Sequence, residues 1–220
     1  MKYRTILLLI LIAFLFLQYR YLNRVNNDFE IFQIENPLKS QFEGITDQSY
    51  PSIFTNVSKN FFSLQTYSLE NINSMSKNSK EQLNKNIKKH FSYYNVPLCL
   101  NSKVDIVSEP ENTSNLITRQ NNYRLCICQL KGTKNIVLFS PKQGKYLYPD
   151  KQGNKSKIDF YKSDLLQYPK LSETKYIEVI LYPGQMLYIP YNWWYSYNTT
   201  EDSFAVYHSS DSVFSRFLIK

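Results

Sequence analysis

From about Ile117 onward the chain is a series of short strand-like runs, each closed by turn chemistry. Arg124 to Leu130 and Asn135 to Phe139 flank Lys131-Gly132-Thr133-Lys134, a hairpin-like connection. Lys175 to Tyr182 leads into Pro183-Gly184, followed by Met186 to Ile189 and Trp193 to Tyr197. Ser203 to His208 alternates again, and Val213 to Leu218 reads as a last strand. Short strands at roughly ten-residue spacing favour an all-β barrel or sandwich over a helical bundle. Composition agrees, because 19 Tyr and 14 Phe against 5 Gly suit pleated, half-buried surfaces. With 220 residues, 43% of them hydrophobic, the chain has enough for one packed domain plus some extra sequence.

Upstream the signals are sparser. Pro51 to Val57 reads as a strand, and residues 71–82 as a loop. Ser79 with Gln82 three residues on has the form of a capping box, opening a helix through His90. Leu83, Ile87 and Phe91 would be its buried stripe, with Lys80, Lys85, Lys88 and Lys89 toward water. Residues 23–45 read as a polar stalk or irregular lead-in. The stretch from Ile158-Asp159 to Tyr168-Pro169 reads as a short helical or irregular excursion.

At the N-terminus, Lys2 and Arg4 precede an uninterrupted apolar run from Ile6 to Leu17, followed by Tyr19, Arg20 and Tyr21. Tyr3 to Tyr19 covers about 25 Å as a helix, close to a hydrocarbon core of about 30 Å, with basic and aromatic residues placed for the interfaces. A cleaved signal peptide would need a small-residue cleavage site, which Leu17-Gln18-Tyr19-Arg20-Tyr21 does not offer. A buried core helix sits badly with the absence of a polar face. Residues 1–22 are therefore read as an N-terminal, single-pass signal-anchor, placing the protein at a membrane. Lys2 and Arg4 face Arg20 and Arg24 across the run, so orientation stays open.

The formal net charge of +8 comes from Lys scattered through Asn- and Tyr-rich sequence, without an Arg-rich block, so no nucleic-acid partner is expected. Three Cys without a C-x-x-C pair exclude a disulfide-built miniprotein and a zinc motif of that kind. Cys126 and Cys128 lie two apart on one strand and read as small buried hydrophobes. Only two His, His90 and His208, are available to any histidine-dependent site.

A set of motifs in fixed order carries more than the periodicity does. These are Gln129-Leu130-Lys131-Gly132-Thr133-Lys134, Leu138-Phe139-Ser140-Pro141, Tyr146-Leu147-Tyr148-Pro149, Ile158-Asp159, Asp164 and Tyr168-Pro169. Pro183-Gly184-Gln185-Met186-Leu187-Tyr188-Ile189-Pro190 and Asn192-Trp193-Trp194 close the series. Over about residues 115–210 the chain resembles the cupin-like, JmjC-type domain of Fe(II)/2-oxoglutarate oxygenases, especially the asparaginyl-hydroxylase-like branch. The resemblance implies a mainly β fold, a double-stranded β-helix or jelly roll with a few flanking helices, over residues 46–220.

It also implies where an iron site would lie. Family members hold iron on a His-x-Asp/Glu pair and on a His after the Trp pair, leaving positions open for 2-oxoglutarate and oxygen. Those positions fall here on Arg119, Asn121 and Tyr195. No His, Cys or Asp lies between Glu109 and Leu125, so shifting the register restores nothing. Lys134 matches the family lysine that pairs with the distal carboxylate of 2-oxoglutarate. If Arg119 also faced inward, the two would form a cationic pocket for a small carboxylate or phosphate. Trp193, Trp194, Tyr195 and Tyr197 read as core filling on one strand face, with an aromatic binding surface as the other reading.

The expectation is a membrane-anchored, non-catalytic relative of these hydroxylases, a pseudoenzyme with a binding or structural role, open to a protein partner and needing no cofactor. The alternative is an Fe(II)/2-oxoglutarate-dependent protein hydroxylase with an atypical metal site.

Overall fold

The computed structural model describes residues 2–57, 77–163 and 166–219; Asp164 lies outside them, as do residues 71–76 of the expected loop, whose remainder, 77–82, is helical instead. The elements are α1 (Lys2–Leu22), β1 (Phe32–Glu35), α2 (Lys39–Thr46), β2 (Ser52–Thr55), α3 (Lys77–Phe91) and β3 (Cys99–Glu109). They continue with β4 (Leu116–Arg119), β5 (Arg124–Lys131), β6 (Lys134–Phe139), β7 (Lys155–Asp159), β8 (Ile177–Leu181), β9 (Met186–Pro190), β10 (Trp194–Thr199), β11 (Ser203–Ser212) and α4 (Val213–Leu218).

The strands form two sheets, ordered β1-β2-β9-β5-β11-β3 and β7-β4-β10-β6-β8. From β8 onward successive strands alternate between them, as do β4, β5 and β6, which is the winding of a jelly roll. The hairpin expected at Lys131–Lys134 is corrected by this topology. Strand β5 bonds β9 and β11, whereas β6 bonds β10 and β8. Gly132-Thr133 is thus a corner between sheets. Gly132 has φ +69°, and a Cβ on it would collide with the Asp202 carbonyl oxygen, so the corner needs glycine. Gln129 braces it from inside: its Nε2 donates to the carbonyls of Lys131 and Gly132 at 2.7 and 3.0 Å.

Period-2 alternation sorts the side chains into three apolar layers. Between the sheets lie Ile127, Ile136, Leu138, Leu187, Ile189 and Trp193. Outside the six-stranded sheet, Cys126, Cys128 and Tyr188 pack with Phe42 of α2, Phe54 of β2, and Ile87 and Phe91 of α3. Outside the five-stranded sheet are Ile117, Val137, Phe139, Leu147, Ile158 and Trp194. Strand β5 is covered on both faces, which explains its nearly continuous apolar sequence.

Several local expectations change. The expected stalk or irregular lead-in contains β1, which pairs in parallel with β2, and the first part of α2, whose Phe42 is fully buried. Its polar sequence reads as irregular because only Phe42 and Thr46 of α2 are buried. Helix α3 already includes Lys77, so Ser79 lies inside it and is not its N-cap. Ile87 and Phe91 form the buried stripe as expected, while the Leu83 side chain lies outside the described residues. Ile158-Asp159 ends strand β7, and the turn that follows Tyr168 is a 3-10 segment, Pro169–Glu173. Val213–Leu218 is a helix instead of a strand. Ser212 caps it, its hydroxyl accepting from the Ser215 N–H at 3.0 Å while the Ser215 hydroxyl accepts from the Ser212 N–H at 2.8 Å.

His208 illustrates how the outer layer constrains charge. Tyr207 points between the sheets, so its neighbour His208 points outward, stacked on Phe91 at 5.2 Å and hydrogen-bonded through Nε2 to Asn95 Oδ1 at 2.9 Å. Burial, and secondarily the nearby Arg124, lowers its pKa from 6.5 to about 4. The unfolded chain therefore binds this proton more readily than the folded one. The His208 contribution is complete above about pH 6.5 and is lost as pH falls toward 4, worth up to about 3 kcal/mol. Denaturant titrations should show wild type losing more stability across that interval than His208→Gln; parallel pH profiles would refute this.

Candidate functional site

Inside the barrel, at the end marked by the start of β6, four polar side chains meet. Lys134 opens β6 and points inward on the Ile136–Leu138 face, with no exposed surface. Glu109 ends β3 in the other sheet. The chain then crosses to β10, where the Thr199 hydroxyl donates to the Pro110 carbonyl at 2.7 Å and the Asn112 N–H donates to the Thr199 carbonyl at 2.9 Å. That crossing brings the Glu109 carboxylate onto the Lys134 ammonium as a buried ion pair. The Tyr197 hydroxyl of β10 donates to the second Glu109 oxygen, and Lys134 Nζ donates to the Tyr207 hydroxyl of β11 at 3.1 Å. Both rings also flank the ammonium, at 4.4 Å for Tyr197 and 5.2 Å for Tyr207.

The electrostatics follow from burial. Desolvation pushes the Lys134 ammonium downward, and the adjacent Glu109 carboxylate opposes that shift. Tyr197 and Tyr207 are both pushed above the ordinary phenol range, chiefly by burial. Both phenols stay protonated at neutral pH and act as hydrogen-bond donors or neutral acceptors. The cationic head that would hold a ligand carboxylate is thus already held by a carboxylate of the chain.

Arg119 does not join this cluster. It lies on the same strand face as Ile117, outside the five-stranded sheet, where Nη2 donates to Asn192 Oδ1 at 2.7 Å. It lines a depression of about 280 Å³ with Gly144, Lys145 and Trp194. The expected cationic pocket formed by Arg119 and Lys134 is therefore corrected: the two occupy opposite faces of one sheet. Strand alternation explains the miss, since the sequence gives residue spacing but not the exit point of β4.

The same geometry tests the donor set for iron. Arg119 points outward, Asn121 is an exposed loop residue, and only Tyr195 points between the sheets. Burial, then Glu109, pushes the Tyr195 phenol up to about 12, so a phenolate is unavailable near neutrality. Among the described residues there is no group of three or more His, Cys, Asp or Glu that could hold a metal ion. Arginine keeps its proton and presents no lone pair. These residues do not fit Fe(II), and Lys134 is not available to 2-oxoglutarate as built. His208, the remaining nearby candidate, faces the helices.

The aromatic run divides between layers: Trp193, Tyr195 and Tyr197 pack between the sheets and Trp194 outside the five-stranded one, so it is core on both faces. Glu109 is the functional residue that sequence reasoning passed over. It entered only as the boundary of a stretch without metal ligands, and nothing local connects it to Lys134, 25 residues away. Arg124 was missed as well. It is buried on the outer face of β5, donating to the Tyr94 and Asn95 carbonyls and the Thr46 hydroxyl at 2.8–3.1 Å, and lies over the Phe42 ring.

A jelly roll with a lysine at the start of an inner strand and a Pro–x–Asn–Trp–Trp corner defines the class as a cupin-type barrel. Residues 108–209 match the family described as "Cupin-like domain", and the match, with the JmjC-containing relatives below, supports a cupin/JmjC-type domain over this part of the chain. JmjC domain-containing protein D of Dictyostelium discoideum is 36% identical over 85 residues, which is 37% of this chain and 19% of that protein. Lysine-specific demethylase 8 of Danio rerio is 37% identical over 83 residues, covering 36% of this chain and 20% of that protein. The human tRNA wybutosine-synthesizing protein 5 is 36% identical over 81 residues, covering 36% and 24%. The chain spans only about a fifth to a quarter of the length of these relatives.

Removing either partner of the buried pair leaves an uncompensated charge. Lys134→Met and Glu109→Gln should each cost about 3–5 kcal/mol in denaturant unfolding, and the double variant clearly less than their sum. Additive losses would mean that the pair is not coupled.

Proposed function

We propose that the protein is a membrane-anchored, non-catalytic relative of 2-oxoglutarate-dependent hydroxylases, using a cupin-like domain in a binding or structural role. The observation that carries this reading is the Lys134–Glu109 pair. A side-chain carboxylate already fills the place where a cosubstrate carboxylate would be held. The poor donor set at Arg119, Asn121 and Tyr195 supports it independently. The activities in the names of the demethylase and wybutosine-synthesis relatives need not extend to this chain, which matches them over a minor part of their length.

The anchor rests on α1. Tyr3–Leu22 is long and apolar enough to cross a membrane, and Ile6 to Leu17 are exposed, with the Phe14 ring making an edge contact to Phe214 of α4. Twenty residues of helix span about 30 Å, the thickness of a bilayer's hydrocarbon core. A role without turnover leaves membrane attachment and protein contacts as the means by which this domain acts.

The full chain, held in detergent, should be titrated anaerobically with Fe(II) and 2-oxoglutarate while the visible charge-transfer band is followed. The expected result is no saturable band. A saturable band would overturn the non-catalytic reading and make the protein an oxygenase with an atypical ligand set.

A further inference from the structure

Helix α4 meets α1 at a depth that matters if α1 spans a bilayer. The Phe214 ring packs edge-on against Phe14 with centroids 5.8 Å apart. Phe14 lies six residues before Arg20 and Tyr21 follows it, so with this aromatic–basic belt at the interface Phe14 sits about 9 Å below, inside the hydrocarbon. A side chain in contact with it there is submerged as well.

The chemistry of α4 suits that position. Val213 and Phe217 are four residues apart, as are Phe214 and Leu218, so the four form one continuous apolar face. Phe217 is 76% exposed and Val213 38%. Leu98, whose carbonyl accepts from the Val213 N–H at 3.1 Å, extends the patch and is itself 68% exposed. Arg216 lies off this face and is exposed, placed to reach headgroups while its stem stays apolar. The reciprocal Ser212–Ser215 cap fixes the helix, though six residues would not hold one alone.

We infer that α4 is a second membrane-contacting element, its Val213–Phe214–Phe217–Leu218 face inserted beside α1 into the apolar boundary of a phospholipid bilayer. The inference rests on the reading of α1 as a span. It makes the bilayer the occupant of this patch because the patch is continuous with the anchor at the Phe14–Phe214 contact. The domain then sits down on the lipid surface at the Leu98 and α4 end instead of hanging from a free tether.

The test uses the full chain reconstituted in phosphatidylcholine vesicles, with acyl chains either brominated or not. Tryptophan is introduced as Leu7→Trp in the anchor, and as Phe217→Trp and, separately, Val213→Trp in α4; wild-type emission from the buried Trp193 and Trp194 is subtracted. Loss of the added emission in brominated lipid for all three variants is the expected result. Loss for Leu7→Trp alone would overturn the α4 insertion and leave the anchor standing. No loss for any variant would overturn both the insertion and the span.

Discussion

An ammonium group without exposed surface must be neutralised from inside, and the barrel's interior is arranged around that requirement. Lys134 comes from the five-stranded sheet, and the carboxylate that answers it comes from the far end of the six-stranded one. Tyr197 and Tyr207, one from each sheet, complete the shell with hydroxyls and ring faces. Because a buried ion pair gives little net stability over apolar packing, its stronger effect is on specificity. Only the observed stacking of the sheets, with the Pro110–Ser114 crossing in place, brings the two charges together.

That arrangement also links fold to function. The interior of a β-barrel is either filled by side chains or left as a ligand cavity. Here the polar end of that interior is closed by protein atoms, and the three places where metal ligands would be expected diverge to an outer face, a loop and the core. On the proposed non-catalytic reading, interaction falls to the outside of the molecule, including the apolar end where α1 and α4 meet.

Much of the fold was legible in the sequence, because β-strands announce themselves through alternation and corners through Gly and Pro. The strands from Arg124 to His208 other than β7, and the jelly roll, agree with expectation, the latter through the motif order from Gln129 to Trp194; β7 and the helix at Val213–Leu218 do not. Sheet membership was not legible. Lys131–Lys134 looks like a hairpin, since a two-residue corner between sheets uses the same residues as a two-residue turn within one. Phe42 and the helix around it were hidden by the polar sequence about them. At the site, Lys134 was found from its motif, but its partner Glu109 could not be, because long-range pairing leaves no local trace. The orientation of Arg119 depended on the phase of β4, a four-residue strand too short to show its own alternation.

Cys126 and Cys128 lie under the α2–α3 cover with their thiols pushed up to about 12 by burial, whereas Cys99 is half-exposed on the edge strand β3. Thiol reactivity is thereby divided between two places with different meanings. A reagent that stops at one modified cysteine reports an intact helical cover. Modification of the other two requires that cover to lift from the sheet, so their rate of reaction is a built-in gauge of how often the outer layer opens without the barrel coming apart.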